Sequence, residues 1–97
     1  MLSNEEIDYI ETDVASMPDS KILGEKKKLI AVGIKFGQDM GSMMNVGVDH
    51  SGPEKEMHLV AEYLTFIDQR LEGKDSWWFR VRRRLKYVNQ FLSLIHI

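Results

Sequence analysis

Apolar residues recur along most of the chain at the three- and four-residue steps of an amphipathic helix. Ile7, Ile10, Val14 and Met17 make the first series, and Pro18 stops it. Ser3 precedes it with Glu6 three residues on, the spacing of a capping box, and Leu2 and Ile7 stand where a hydrophobic staple would. The pattern predicts a helix from about Asn4 to Met17.

The stretch from Ser20 to Met44 can be read in two ways. Ile30, Val32, Ile34 and Phe36 alternate as a strand would, which favours a hairpin pairing 29–36 with 43–49. Placed at about 100° per residue, Ile22, Leu29, Ile30, Gly33, Phe36, Gly37, Met40 and Met44 share one face, and lysines and other polar residues occupy the other. Lys26 is the main exception on the apolar side. The helical reading covers a longer window, and no Asn-Gly or Asp-Gly turn supports the hairpin.

Gly33, Gly37 and Gly41 lie four apart and would cut a shallow groove along that face. Each glycine costs a helix about 1 kcal/mol relative to alanine, so the series asks for close approach of a neighbouring helix, in this chain or in a second copy.

Asn45 to Gly52 reads as a loop, with Pro53 at the first helical position and Ser51 or Gly52 as cap. Met57, Val60, Ala61, Leu64, Ile67 and Leu71 then form a stripe, and Gly73 ends it. A second row, Leu59, Tyr63 and Phe66, widens the apolar surface beyond half the circumference. This third helix is therefore expected to be central or to contribute to an interface. Asp75 or Ser76 can cap a last helix in which Trp78, Val81, Leu85 and Val88 are expected to face the core, with Trp77 at the edge. The fold class is accordingly all-α, a small bundle of four amphipathic helices; the rival is α+β with the hairpin.

The final residues Leu92–Ile97 look like an in-frame translation of the transposon end used in shotgun library preparation. On that reading residues 1–91 are one helical domain cut near Phe91, and 92–97 belong to no evolved core.

Composition narrows the chemistry. Ninety-seven residues leave no room for a barrel or two-domain enzyme. The absence of cysteine removes disulfides, thiolate metal sites and cysteine nucleophiles. The longest apolar run, Leu29 to Ile34, is far short of the roughly 20 residues of a spanning helix. No membrane partner and a cytoplasmic setting are expected.

Charge is polarised although the net value is only -2. Glu5, Glu6, Asp8, Glu11, Asp13 and Asp19 occupy the first 20 residues without a lysine or arginine, whereas the last helix carries Arg80, Arg82, Arg83, Arg84 and Lys86. With Phe79 and Tyr87 among them, these cations suit phosphate contact and base stacking, or an acidic protein, or pairing with the first helix inside the fold.

Glu54, His58 and Glu62 form an i, i+4, i+8 row that could hold a divalent metal. No Glu-x-x-His or His-Glu-x-x-His signature accompanies it, so a solvated polar face is expected instead. No nucleophile elbow, phosphate loop or dinucleotide pattern occurs, and no cofactor is expected.

Three functions follow in order. The first is a non-catalytic helical protein acting through protein contact or self-association over Gly33, Gly37, Gly41, Leu59, Tyr63 and Phe66. The second is a nucleic-acid-binding accessory protein using Arg80, Arg82, Arg83, Arg84, Lys86 and Tyr87. The third is a small metal-dependent helical enzyme centred on Glu54, His58 and Glu62.

Overall fold

A computed structural model describes residues 2–96, with side chains described through Leu94. Four helices follow in order: α1 (Asn4–Ser16), α2 (Asp19–Asn45), α3 (Ser51–Glu72) and α4 (Trp77–Leu92), then a 3-10 turn at Ser93–His96. Among the described residues there is no strand, so the hairpin rival is overturned: residues 29–36 lie inside α2. No helix among them is long and apolar enough to cross a membrane. Of the 92–97 tail, Ile97 and the side chains of Ile95 and His96 lie outside the described residues.

Local chemistry sets the boundaries. Glu6 N–H donates to Ser3 Oγ and Ser3 N–H donates back to Glu6 Oε1, both at 3.1 Å, closing the expected capping box on α1. Ser76, rather than Asp75, caps α4, its Oγ accepting from Phe79 N–H at 3.0 Å. Gly73 ends α3 at φ 66, a left-handed conformation that costs a residue without a β-carbon little. The start of α3 departs from expectation: the helix begins two residues before Pro53, at Ser51. Asp49 secures that start, its carboxylate accepting from Ser51 N–H and Oγ at 3.0 and 3.2 Å.

At about 1.5 Å per residue, the 27 residues of α2 account for the 42 Å long axis of the molecule. α3 is central, as its broad apolar surface implied: α1, α2 and α4 all pack on it, while α1 and α4 do not pack on each other. One apolar cluster joins Met40, Met57, Val60, Ala61 and Leu64 to Tyr87 and Phe91. A second joins Ile10, Val14 and Ile22 to Phe66 and Ile67. Leu71, at the end of the expected α3 stripe, is exposed instead.

The orientation of α4 also corrects the sequence reading. Tyr87 and Phe91 are its buried residues, whereas Trp78 and Leu85, expected in the core, are 62% and 53% exposed. Val81 and Val88 are half-buried.

Candidate functional site

The basic residues of α4 divide into two groups. Arg83 Nη1 donates to Asp68 Oδ2 and to Glu72 Oε2, both at 2.7 Å, and its guanidinium lies 4.8 Å from the centre of the Phe79 ring. Arg84 reaches Glu62 at 3.4 Å, and Arg80 lies over the Phe66 ring at 5.8 Å. Arg82 and Lys86 remain exposed. The basic row therefore pairs inside the fold, but with α3 rather than with acidic α1.

Asp68 is the hub of this arrangement and is fully buried. Tyr87 O–H donates to its Oδ2, and Lys26 Nζ stands 2.7 Å from Oδ1 as an ion pair. Burial alone would raise the Asp68 carboxyl, but the contacts from Lys26, Tyr87 and Arg83 outweigh it and hold the group below its ordinary value. Burial and the hydrogen bond to Asp68 push the Tyr87 phenol well above its own ordinary value. The hydrogen bond to Glu72, joined by Asp68, raises Arg83 further, so the Asp68 and Arg83 charges are fixed across the neutral range. Tyr87 is thus an internal donor, not the exposed aromatic that the sequence suggested.

The glycine series is also consumed internally. Gly33, Gly37 and Gly41 are buried, and the Phe91 ring occupies the space where a Gly33 β-carbon would stand. A Gly37 β-carbon would collide with the Phe91 backbone carbonyl. Close approach by a neighbouring helix was expected, and the neighbour is α4 of the same chain. Phe66, also assigned to the outer contact surface, is only 5% exposed, because α1 and the Arg80 guanidinium cover it.

Leu59 and Tyr63 keep partial exposure in an apolar groove of about 480 Å³ between α1, α2 and α3, shared with Tyr9, Val32 and Phe36. Tyr63 O–H is spent on Asp13 Oδ2 at 2.7 Å; burial first, and this bond second, raise its phenol above the ordinary range. Arg70 caps the end of α1 by donating to the Val14 carbonyl at 2.8 Å.

Glu54, His58 and Glu62 do not converge. Glu62 is buried against Arg84, and Glu54 is exposed with His50 4.0 Å away. Among the described residues no three acidic or histidine side chains are grouped to hold a metal ion.

Beside exposed Arg82 and Lys86, α4 also leaves large apolar side chains outside. Trp78 and Leu85, one heptad apart, are exposed with half-buried Val81 between them, whereas Val88 and Leu92, which continue the three- and four-residue steps, pack against the core cluster of Tyr87 and Phe91. Trp77, 59% exposed, packs edge-on to Trp78 with ring centres 4.7 Å apart and widens the upper end. No protein-family model matches this chain, and no curated protein or solved structure matches it either.

Proposed function

We propose that this is a non-catalytic helical protein that works by contact, and that the contact surface is the outer face of α4. The observation carrying this reading is the exposure of Trp78 and Leu85 within a stripe whose spacing is that of a helix seam. Isolated exposed apolar residues are ordinary, but Trp77, Trp78 and Leu85 exposed together on one helix, with Val81 half-buried between them, resemble the apolar anchors of interfaces. The glycine face is the weaker candidate, because Phe91 fills it at Gly33 and Gly37.

Nucleic acid is the weaker reading. Trp77 and Trp78 beside Arg82 suit base stacking, but Arg83 and Arg84 are committed to carboxylates of α3.

The test is a photoreactive side chain in place of Leu85, in the cells that make the protein, with the same group at exposed Lys35 of α2 as control. The proposal expects a discrete protein adduct at Leu85, absent at Lys35 and lost on Trp78→Glu. Equal labelling at both sites, or none, would overturn it.

A further inference from the structure

The seam on α4 has flanks, and they select its occupant. With Trp78 and Leu85 in the first core position of a heptad and half-buried Val81 in the second, Arg82 and Arg84 border that heptad on opposite sides. Lys86 is exposed one turn beyond Arg82, and Asn89 borders the next heptad. From Ser76 onward the sequence contains no aspartate or glutamate. Every charge on this helix is therefore positive.

We infer that the α4 seam takes an acidic amphipathic helix, with leucine-like residues at heptad spacing and glutamate or aspartate at the flanking positions. The inference rests on the proposed contact role of this face and names its partner class. Charges beside a two-helix seam set partner choice because each flank faces a flank of the other helix.

A second copy does not fit. Parallel pairing of two α4 helices sets Arg84 beside Asn89 and Arg82 beside Trp77 of the other chain, and antiparallel pairing about the Trp78–Leu85 heptad sets each arginine against its equivalent. Like charges meet in the antiparallel orientation, and in neither orientation does the facing helix offer an acid to pair with the arginines. The acidic helix of a second copy, α1, is no better, since Ile10 and Val14 are already buried in their own chain and only Tyr9 is offered outward. An outside helix can bring both the apolar row and the acids.

The partner's acids would meet groups able to respond. Arg82 is exposed and has no ion-pair partner among the described residues, and Arg84 holds Glu62 by a single 3.4 Å contact with 41% of its side chain in solvent. Arg83 is excluded from this role by its bonds to Asp68 and Glu72.

The experiment uses the full chain and three synthetic 18-residue helices with one common leucine heptad row. One has glutamate at the flanking positions, one has lysine there, and one has the glutamate composition in scrambled order. Binding is read from tryptophan emission at two salt concentrations. The glutamate helix should bind at least about tenfold more tightly than the lysine helix, more weakly at high salt, and not to Leu85→Glu.

Arg82→Glu should narrow or reverse the preference while the chain stays folded by circular dichroism. Equal binding of the glutamate and lysine helices overturns the acidic partner but leaves the contact surface standing, since both still need Leu85. Three further results would each overturn the inference: binding of the scrambled helix as tight as that of the ordered one, Leu85-dependent dimerisation without peptide binding, and preferential binding of single-stranded oligonucleotide. Photo-labelling at Leu85 decides separately whether the face is used at all.

Discussion

Lys26 and Asp68 each interrupt an apolar helix face, and they interrupt it at the same place in space: Nζ of one lies 2.7 Å from Oδ1 of the other. Among the described residues Oδ1 has no regular hydrogen bond to replace this ion pair, while Oδ2 is held by Arg83 and Tyr87. A buried carboxylate is costly unless paired, and here its partners arrive from α2 and α4 together. Asp68 thereby fixes how three helices meet.

Removing the hub leaves two cations facing an apolar interior. Asp68→Ala is expected to destabilise the fold by about 3 to 5 kcal/mol, as for other broken buried pairs. Lys26→Met should cost less, because the Lys26 side chain is 29% exposed while Asp68 keeps Arg83 and Tyr87. Urea unfolding of both variants checks the order. An Asp68→Ala chain as stable as the parent would refute the hub.

The same cluster sets the pH limits of stability. The Asp68 carboxyl sits below its ordinary value of 3.8, so its contribution is complete above that pH and is lost as pH falls through the lower folded value. Tyr87 and Tyr63 are raised above 10.0, so their contributions are complete below pH 10 and drain away as pH climbs towards the folded values. Unfolding midpoints should be nearly flat between those limits and fall outside both. Tyr87→Phe should blunt the alkaline fall.

Three glycines of one helix should respond in opposite directions. Gly24→Ala meets nothing within 4 Å and should stabilise by about 0.5 to 1 kcal/mol through helix propensity and the unfolded chain. Gly37→Ala should destabilise by about 1 to 3 kcal/mol, because its methyl meets the Phe91 carbonyl, which cannot swing aside as a side chain can. Gly33→Ala should also destabilise, by displacing the Phe91 ring. Thermal melts of the three variants are sufficient.

The arginines of α4 should separate in the same way. Arg83→Ala strips Asp68 of one of its partners and Glu72 of its ion pair and should lower stability, whereas Arg82→Ala should leave it within about 0.5 kcal/mol, as befits an exposed site. Comparable losses at both positions would contradict the division of the basic row into structural and free members.

Much of this architecture is written in the spacing of the chain. The Ser3–Glu6 box, the Gly73 stop, the four helices and the breadth of α3 follow from local rules. The rotation of α4 does not, because that helix carries two apolar arcs, Tyr87–Phe91 and the Trp78–Leu85 stripe, and periodicity cannot say which one turns inward. The choice is made by Arg83 and Arg84, whose partners Asp68, Glu72 and Glu62 lie on α3; a polar group buried by its counter-charge is invisible to a hydrophobic count. Two signals were present. Lys26 stood on an apolar face, and Asp68 follows Leu64 by one turn within the buried surface of α3.

The central claim is that the Trp78–Leu85 face of α4 lies outside, ready for a partner. Trp77 and Trp78 are the only two tryptophans in the chain, so intrinsic fluorescence reports on this face alone. Acrylamide quenching of the free monomer should be that of solvent-exposed indole, and the glutamate-flanked helix should protect the fluorescence in the parent but not in Leu85→Glu. Emission already shielded from acrylamide in the free monomer would place the seam inside and contradict the account.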